Sequence, residues 1–271
     1  MTERIAFIGG GNMASAIISG LARNGMRAEQ MVVVDPFADA QERLKRDFGL
    51  LTHTEAGPFL STASIVLWAV KPQSFKEAAR AVAPHTKEAL HLSVAAGVRS
   101  DSIAALLGNG RVIRTMPNTP ALIGKGITAL YARPEVSDID RRHAEKIIAT
   151  TGEFLWLDAE SQLDAVTAIS GSGPAYMFYF MEAMTAAGAE MGLSREQAYQ
   201  LAVATFIGAG ELARASHEPP EILRQRVTSK GGTTYAAITS MDDHGIKALF
   251  MTAMHAAQQR AKELGDEFGA S

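Results

Sequence analysis

Short apolar runs and segments with helical spacing alternate along the first half of the chain. Apolar runs of about four to eight residues are typical of strands buried on both faces, and the helical segments are typical of the crossovers between them. The runs predict strands at residues 5–8, 31–34, 65–70, 90–94 and 112–115, with further candidates at 126–131 and 154–157. Helices are expected from Met13 to Leu21 and at residues 37–47 and 138–150. This alternation predicts a parallel, doubly wound sheet.

The second half, from about residue 160, has no convincing strand pattern. It predicts helices at residues 174–191, 195–215, 219–227 and 244–268, and another that begins near Tyr235. Ser172 is the expected cap of the first, with Pro174 in its first turn, and Ser194-Arg-Glu-Gln197 has the spacing of a capping box for the second. The chain is therefore expected to divide into an α/β domain over residues 1–160 and an all-α domain over residues 161–271.

The predicted helix at residues 174–191 is apolar on nearly every side. Such a helix is buried on most sides, which one small domain hardly achieves alone, so a subunit interface is expected. The alternative is the central helix of a monomeric bundle. On the next helix, Gly208 and Gly210 would let another helix approach closely.

Composition narrows the class of protein. The chain has 271 residues, of which 47% are hydrophobic and 20% charged, and a net charge of −3, which indicates a globular protein without general attraction to nucleic acid or anionic membranes. It has no apolar run of transmembrane length, and its start runs directly into a strand, so no signal peptide is expected. Cysteine is absent, and the histidines are scattered without ligand spacing, so no metal site is predicted and a cytoplasmic location is expected.

A glycine-rich turn joins the first predicted strand to the first helix. Gly9, Gly11 and Ala14 fit the dinucleotide fingerprint G-x-G-x-x-G/A, in which the glycines allow a tight turn and close approach of a pyrophosphate. Asp35 ends the second strand, where an acidic residue usually binds a ribose hydroxyl. The alternative is a glycine-rich turn that binds nothing.

Ligands of such sheets bind outside the carboxyl ends of the strands. The segments expected there, besides the glycine turn and Asp35, are residues 69–73, 95–97 and 116–120, and Lys71 is the only cation among them. Lys71 is either a solvated loop charge or a contact of the cofactor ribose or the substrate.

Residues 228–234 form a second candidate site, because their hydroxyl groups and glycines precede a helix and suit a small anion such as a carboxylate. The alternative is that Thr233 or Thr234 merely caps the helix. The C-terminal half offers no paired carboxylates, no Ser-His-Asp set and no obvious general base. Hydride transfer to an activated electrophile, such as a protonated imine, needs little acid–base help.

Six motifs, in this order and spacing, resemble those of the pyrroline-5-carboxylate reductases. They are Phe7-Ile-Gly-Gly-Gly-Asn-Met-Ala14, Ala69-Val-Lys-Pro-Gln73, Ser93-Val-Ala-Ala-Gly97, Arg114-Thr-Met-Pro-Asn-Thr-Pro120, Ser170-Gly-Ser-Gly-Pro-Ala-Tyr176 and Val227-Thr-Ser-Lys-Gly-Gly-Thr-Thr234. The resemblance covers nearly the whole chain. It implies a Rossmann domain followed by a helical dimerisation domain, and reduction of L-1-pyrroline-5-carboxylate to L-proline by NADPH or NADH, the last step of proline biosynthesis.

The resemblance also implies the roles of individual residues. The cofactor would contact Ile8, Gly9, Gly10, Gly11, Asn12 and Met13 around its pyrophosphate, and Ala69, Val70, Lys71, Pro72, Val94, Ala95 and Ala96 on its nicotinamide side. The substrate would lie on Ser229, Lys230, Gly231, Gly232, Thr233 and Thr234, with Thr234 bonded to the ring nitrogen as the catalytic residue. Family members form interlocked homodimers in which each site takes this loop from the partner chain, and some assemble five dimers into a decamer.

Some positions depart from the family pattern. Members usually prefer NADPH, whereas Asp35 should repel a 2′-phosphate and favour NADH, and no arginine follows it until Arg43. Both cofactors are therefore expected to work, with the preference open. Residues 54–57 lack the asparagine that touches the cofactor in many members, and Lys230 stands where many members have proline and others lysine.

Two other functions are considered. A β-hydroxyacid dehydrogenase shares the domain types but needs a catalytic lysine on the long helix, and residues 174–191 contain none. A redox-sensing protein would bind NAD(P)H without turnover, and the loop at residues 228–234 argues against it.

Overall fold

The computed structural model describes residues 4–269, which form two compact units. The first unit contains residues 4–172 together with 257–269, and the second contains residues 173–256. In the described part of the chain, no helix has both the length and the apolar character needed to cross a membrane.

The first unit is built on one eight-stranded sheet with the strand order β3-β2-β1-β4-β5-β6-β7-β8. The strands are β1 (Ile5–Ile8), β2 (Met31–Val34), β3 (Leu51–His53), β4 (Ile65–Trp68), β5 (Leu90–Ser93), β6 (Val112–Met116), β7 (Gly126–Ala132) and β8 (Gly152–Trp156). All neighbouring pairs are parallel except β6 and β7, which are antiparallel. The predicted Rossmann-type sheet is confirmed, with a reversal at β7 that the sequence pattern did not predict.

Helices cover the sheet on both faces. They are α1 (Asn12–Arg23), α2 (Ala38–Phe48), α3 (Pro72–Val82), α4 (Ser100–Leu107), α5 (Asp138–Ile148) and α6 (Gln162–Val166). Alternate residues of the central strands point to opposite faces, so Phe7 belongs to one apolar cluster with Ile17 of α1, and Ile8 to another with Phe75 of α3. Burial on both faces explains why these strands read as continuous apolar runs.

Two local predictions were wrong, and one strand was missed. Strand β4 ends at Trp68 rather than at residue 70, and Pro72 opens α3, since a first-turn position needs no N–H donor. Strand β3 was not predicted. Ser172 does not cap the long helix, because its φ of −85° and ψ of −17° are helical, and it continues the π-helical turns of residues 167–171.

The second unit is helical, as predicted, and none of the described residues after Trp156 is in a strand. Its helices are α7 (Gly173–Glu190), α8 (Arg195–Ala215), α9 (Pro220–Arg226), α10 (Thr233–Asp243) and the start of α11 (Ile246–Gly269), whose last part belongs to the first unit. The capping box at α8 is confirmed, because the Ser194 side chain accepts from the backbone N–H of Gln197 and the Gln197 side chain bonds back.

This helical unit leaves many large apolar side chains exposed. Each of the following is at least 42% exposed: Phe178, Tyr179, Met184, Tyr199, Leu201, Ile207, Leu212 and Leu249. On α7 only Thr185 and Gly188 are buried. So much apolar surface on adjacent helices is typical of an interface with another chain.

Candidate active site

The glycine turn after β1 is wedged between the ends of two neighbouring strands. Gly9 has a φ of +97°, and its N–H donates to the carbonyl oxygen of Val34 in β2 at 2.8 Å. A Cβ atom on Gly9 would lie 2.6 Å from the carbonyl oxygen of Ala69, just beyond β4. Backbone angle and space therefore both require glycine at this position.

The N-terminus of α1, directly after this turn, suits an anion. Its N-cap is Gly11, which provides no side-chain cap, and the first turn, opened by Asn12 and Met13, contains no acidic residue. Among the described residues, no heavy atom would come within 4 Å of a Cβ on Gly11, so the space beside the turn is open. Uncapped N–H donors beside open space fit the pyrophosphate of a dinucleotide.

Asp35 is tied to the glycine turn. Its Oδ2 atom accepts from the N–H of Gly10 at 2.6 Å and its Oδ1 atom from the N–H of Phe37 at 2.9 Å, and the residue is only 6% exposed. The Arg43 guanidinium donates to the carbonyl oxygen of Gly10 at 2.7 Å. The Asp35 carboxylate thus holds the turn against the end of β2, a role that sequence reasoning missed.

The structure brings the predicted cofactor segments of the first unit to one edge of the sheet. The N–H of Ala69 donates to the Ile8 carbonyl at 2.8 Å, and the N–H of Val94 donates to the Trp68 carbonyl at 3.0 Å. Ala95 follows, with its N–H bonded to the Ser93 hydroxyl at 3.3 Å. The half-buried residues Val70, Pro72 and Ala96 and the exposed Lys71, which is the N-cap of α3, complete the set.

The predicted substrate loop lies in the helical unit. Gly231 has a φ of +75°, and the N–H of Gly232 donates to the Ser229 carbonyl at 3.0 Å, which closes a tight turn before α10. The helix begins at Thr233 with Gly232 as its N-cap, so the alternative that Thr233 or Thr234 caps the helix is wrong. Ser229, Lys230 and Thr233 are exposed and Thr234 is half-buried.

A cavity of about 290 Å³ adjoins this loop within the same unit. It is lined by Arg224, Gln225, Thr228, Lys230 and Tyr235, and therefore by two cations and two hydroxyl groups. This lining suits an anion. A second cavity, of about 350 Å³, lies at the amino ends of β1 and β2, at the opposite edge of the sheet from the glycine turn.

The Met-Pro-Asn-Thr-Pro motif has a structural role that was not predicted from the sequence. The Asn118 side chain is buried, and its Oδ1 atom accepts from the N–H of Ile127 at 3.0 Å, which fixes the start of β7 beside the end of β6. The Thr115 hydroxyl donates to the Ser93 carbonyl at 3.1 Å, which joins β6 to β5 at the same edge.

The titratable side chain of His91 is buried in the sheet and bonded to a tryptophan. The Trp68 indole N–H donates to His91 Nδ1 at 3.1 Å, and neither side chain is exposed. Burial lowers the pKa of His91 to about 4, because an imidazolium there would lose its hydration. His91 is therefore a neutral core residue.

The sheet, the glycine turn and the open helix N-terminus together define a dinucleotide-binding protein of the Rossmann type. Two family models match the chain. The model described as "Pyrroline-5-carboxylate reductase dimerisation" matches residues 160–264, and the model described as "NADP oxidoreductase coenzyme F420-dependent" matches residues 4–97. A pyrroline-5-carboxylate reductase of Pseudomonas aeruginosa is 45% identical over 270 residues, which cover 99% of both chains. The chain belongs to the pyrroline-5-carboxylate reductase family.

Solved structures agree with this membership. A pyrroline-5-carboxylate reductase from Coxiella burnetii superimposes with a TM-score of 0.90 at 37% identity, covering 97% of this chain and 99% of the other. The Plasmodium falciparum pyrroline carboxylate reductase, crystallised with NADP bound, has a TM-score of 0.87 at 27% identity and covers 97% and 98% of the two chains.

Proposed function

We propose that the protein reduces L-1-pyrroline-5-carboxylate to L-proline with NADPH or NADH, the last step of proline biosynthesis. The observation that supports this proposal is family membership over 99% of the chain, with 45% identity to the pyrroline-5-carboxylate reductase of Pseudomonas aeruginosa. The glycine turn and the anion-suited loop before α10 supply the two binding features that the reaction requires.

The first unit would hold the cofactor. Gly9 to Met13 would bind the pyrophosphate, since the N–H donors that open α1 are uncapped. Ala69 to Pro72 and Val94 to Ala96 would line the nicotinamide side, because they follow neighbouring strands at the same edge. When bound, NAD(P)H supplies the hydride for the imine carbon.

The loop before α10 would hold the substrate. The uncapped N–H groups that open α10 and the hydroxyl of Ser229 suit the carboxylate, with Lys230 beside it. Thr234 would orient the imine nitrogen and relay a proton to it. The chain offers no general base near this loop by sequence, and an activated imine needs little such help. Proximity then supplies most of the rate enhancement, up to roughly 7–11 kcal/mol in favourable cases.

The exposed apolar helices support a homodimer as the smallest working assembly. The dimerisation model spans the helical part of the chain, and Gly208 and Gly210 of α8 have space for a Cβ atom in the described chain, which suits close approach by a helix of a second copy. Each active site would combine the cofactor edge of one protomer with the loop of its partner. A decamer of five such dimers is a further assembly that size measurements can detect.

The test is oxidation of NADH and of NADPH, measured in parallel with pyrroline-5-carboxylate. Turnover with both cofactors is expected, and the ratio of the two kcat/KM values gives the cofactor preference. Absence of turnover with either cofactor, in protein shown to be folded and oligomeric, would contradict the proposal and favour a sensor or another imine.

A further inference from the structure

Residues Arg99 and Ser100, directly beyond the turn at residues 94–97, carry a network of charged hydrogen bonds. Glu160 accepts from the backbone N–H of Ser100 through Oε1 and from its hydroxyl through Oε2, each at 2.6 Å. The Arg114 guanidinium donates to Glu160 Oε1 at 2.7 Å, and its side chain is only 9% exposed. Glu160 therefore covers the N-terminus of α4 and joins it to β6.

The C-terminal end of α11 contacts Arg99, the residue before Ser100. Arg99 donates through Nη2 to Asp266 Oδ1 at 2.6 Å and through Nε to the Gly265 carbonyl at 3.4 Å. A Cβ atom on Gly265 would lie 3.2 Å from Arg99 Nη2, so the absence of a side chain lets the guanidinium lie against the helix. All of these residues belong to the first unit.

The turn itself is packed against the same helix end. Gly97 has a φ of +75°, and a Cβ atom there would lie 3.2 Å from Cβ of Leu264 and 3.3 Å from Cδ2 of Phe268. The segment at residues 94–97 thus has α11 against its last residue and the Arg99–Ser100 network directly after it. A shift of either one would displace the turn.

The network is held by charge as well as by packing. Burial tends to raise the pKa of Glu160, but the hydrogen bonds from Ser100 and the Arg114 charge outweigh burial and lower it. Glu160 is therefore ionised at neutral pH. Such charge-assisted bonds are shorter and stronger than neutral ones.

The two acidic residues of the network, Glu160 and Asp266, lie on either side of the helical unit in the sequence. Glu160 precedes the point where the chain leaves the first unit, at residue 173, and Asp266 follows the point where it returns, at residue 257. The segment that leads to the helical unit is therefore bonded to Ser100 through Glu160, and the segment that returns from it is bonded to Arg99 through Asp266. We propose that Glu160 and Asp266 are positioning residues that fix the turn at residues 94–97 for hydride transfer, an inference that rests on the proposed nicotinamide assignment of Val94 to Ala96.

The test compares Glu160→Gln and Asp266→Asn in the full-length protein with Glu263→Gln as a matched control. Glu263 is also on α11, but it accepts hydrogen bonds from Gln259 and Arg260 of its own helix. We expect kcat to fall about tenfold in the two test variants, because small displacements of a reacting group cost large factors in rate. The dissociation constant for NADPH should stay within about twofold, since the glycine turn is untouched.

Two further readouts separate positioning from loss of structure. The primary isotope effect with 4-deuterated NADPH should rise in both test variants, and the emission of bound NADPH, which needs no substrate, should shift. Asp266→Glu should recover part of the lost kcat. The inference is wrong if kcat and the emission of bound NADPH are unchanged in the test variants. It is also wrong if kcat falls only in step with Tm while the isotope effect stays the same.

The proposed function is judged separately, by turnover of the unaltered protein. Ala96→Val tests the nicotinamide assignment, since it enlarges a half-buried side chain of the turn itself. If the unaltered protein turns over and Ala96→Val is impaired while both test variants match the unaltered protein, the positioning role alone is wrong.

Discussion

The carboxylate of Asp35 accepts a hydrogen bond from the backbone N–H of Gly10 at 2.6 Å, and so ties the glycine turn to the end of β2. Its other oxygen is bonded to the N–H of Phe37. In Asp35→Asn the amide can accept only one of these bonds and turns an N–H₂ group toward the other donor. We expect the affinities for NADH and NADPH to fall together by about tenfold, the equivalent of roughly 1.4 kcal/mol.

Titration of each cofactor by fluorescence measures this, and Asp39→Asn is the control, since it removes the same charge from an exposed position on α2. If Asp35 acted only by repelling a 2′-phosphate, the substitution would instead strengthen NADPH binding and leave NADH binding unchanged or weaker.

Thr234→Val should lower kcat on the order of 100-fold, because the hydroxyl proposed to orient the imine nitrogen and relay its proton is lost. Valine has nearly the same shape, so the cofactor affinity should not change. Thr239→Val is the matched control, since its exposed hydroxyl lies further along the same helix, outside the proposed substrate loop. Steady-state kinetics would contradict the role of Thr234 if kcat stayed intact or if both variants lost it equally.

Buried His91 predicts acid sensitivity of the fold. Its pKa falls from 6.5 to about 4 on folding, so below pH 6.5 the unfolded chain binds a proton that the folded chain does not. This contribution to stability is complete above about pH 6.5 and is lost as the pH falls toward 4, by up to about 3 kcal/mol.

Urea unfolding at several pH values measures the slope. His91→Asn keeps an acceptor for the Trp68 indole but has no ionisable group in this range, so its stability should vary less between pH 6.5 and 4. An equal slope in both proteins would show that other groups cause the acid sensitivity.

Ile207→Lys should weaken assembly, because Ile207 of α8 is 60% exposed on the helical unit in the single chain and would be buried in the dimer. Light scattering should show a shift to monomer, with a Tm that depends on protein concentration. Ile139→Lys is the control, since Ile139 of α5 in the first unit is 58% exposed and should leave the mass unchanged. Equal behaviour of the two variants would argue against an interface on α8.

The strands that sequence reasoning placed best are those buried on both faces. β1 and β2 have the predicted bounds, because every residue in them is apolar and a glycine or an acidic residue ends the run. β3 was not predicted because it is an edge strand of only three residues, and two of them, Thr52 and His53, are polar. The reversal at β7 had a usable signal, since residues 117–125 are too few for the crossover that a parallel pair needs.

The candidate site shows the same division. The glycine turn was predicted because its chemistry is contiguous in the chain. The bonds that hold it, and those at the Arg99–Ser100 network, join residues far apart in sequence: Asp35 and Gly10 are 25 residues apart, and Arg99 and Asp266 are 167 apart. No periodicity or spacing encodes such pairs, because only the folded sheet brings them together.

The return of residues 257–269 to the first unit sets the order in which the protein is completed during synthesis. The N-terminal sheet leaves the ribosome first, and Leu264 and Asp266, which contact Gly97 and Arg99, emerge only after α7 to α10. The turn at residues 94–97 therefore lacks its contact with α11 until α7 to α10 are already outside the ribosome. A chain cut short after α10 would carry those helices complete and would lack the support of the turn.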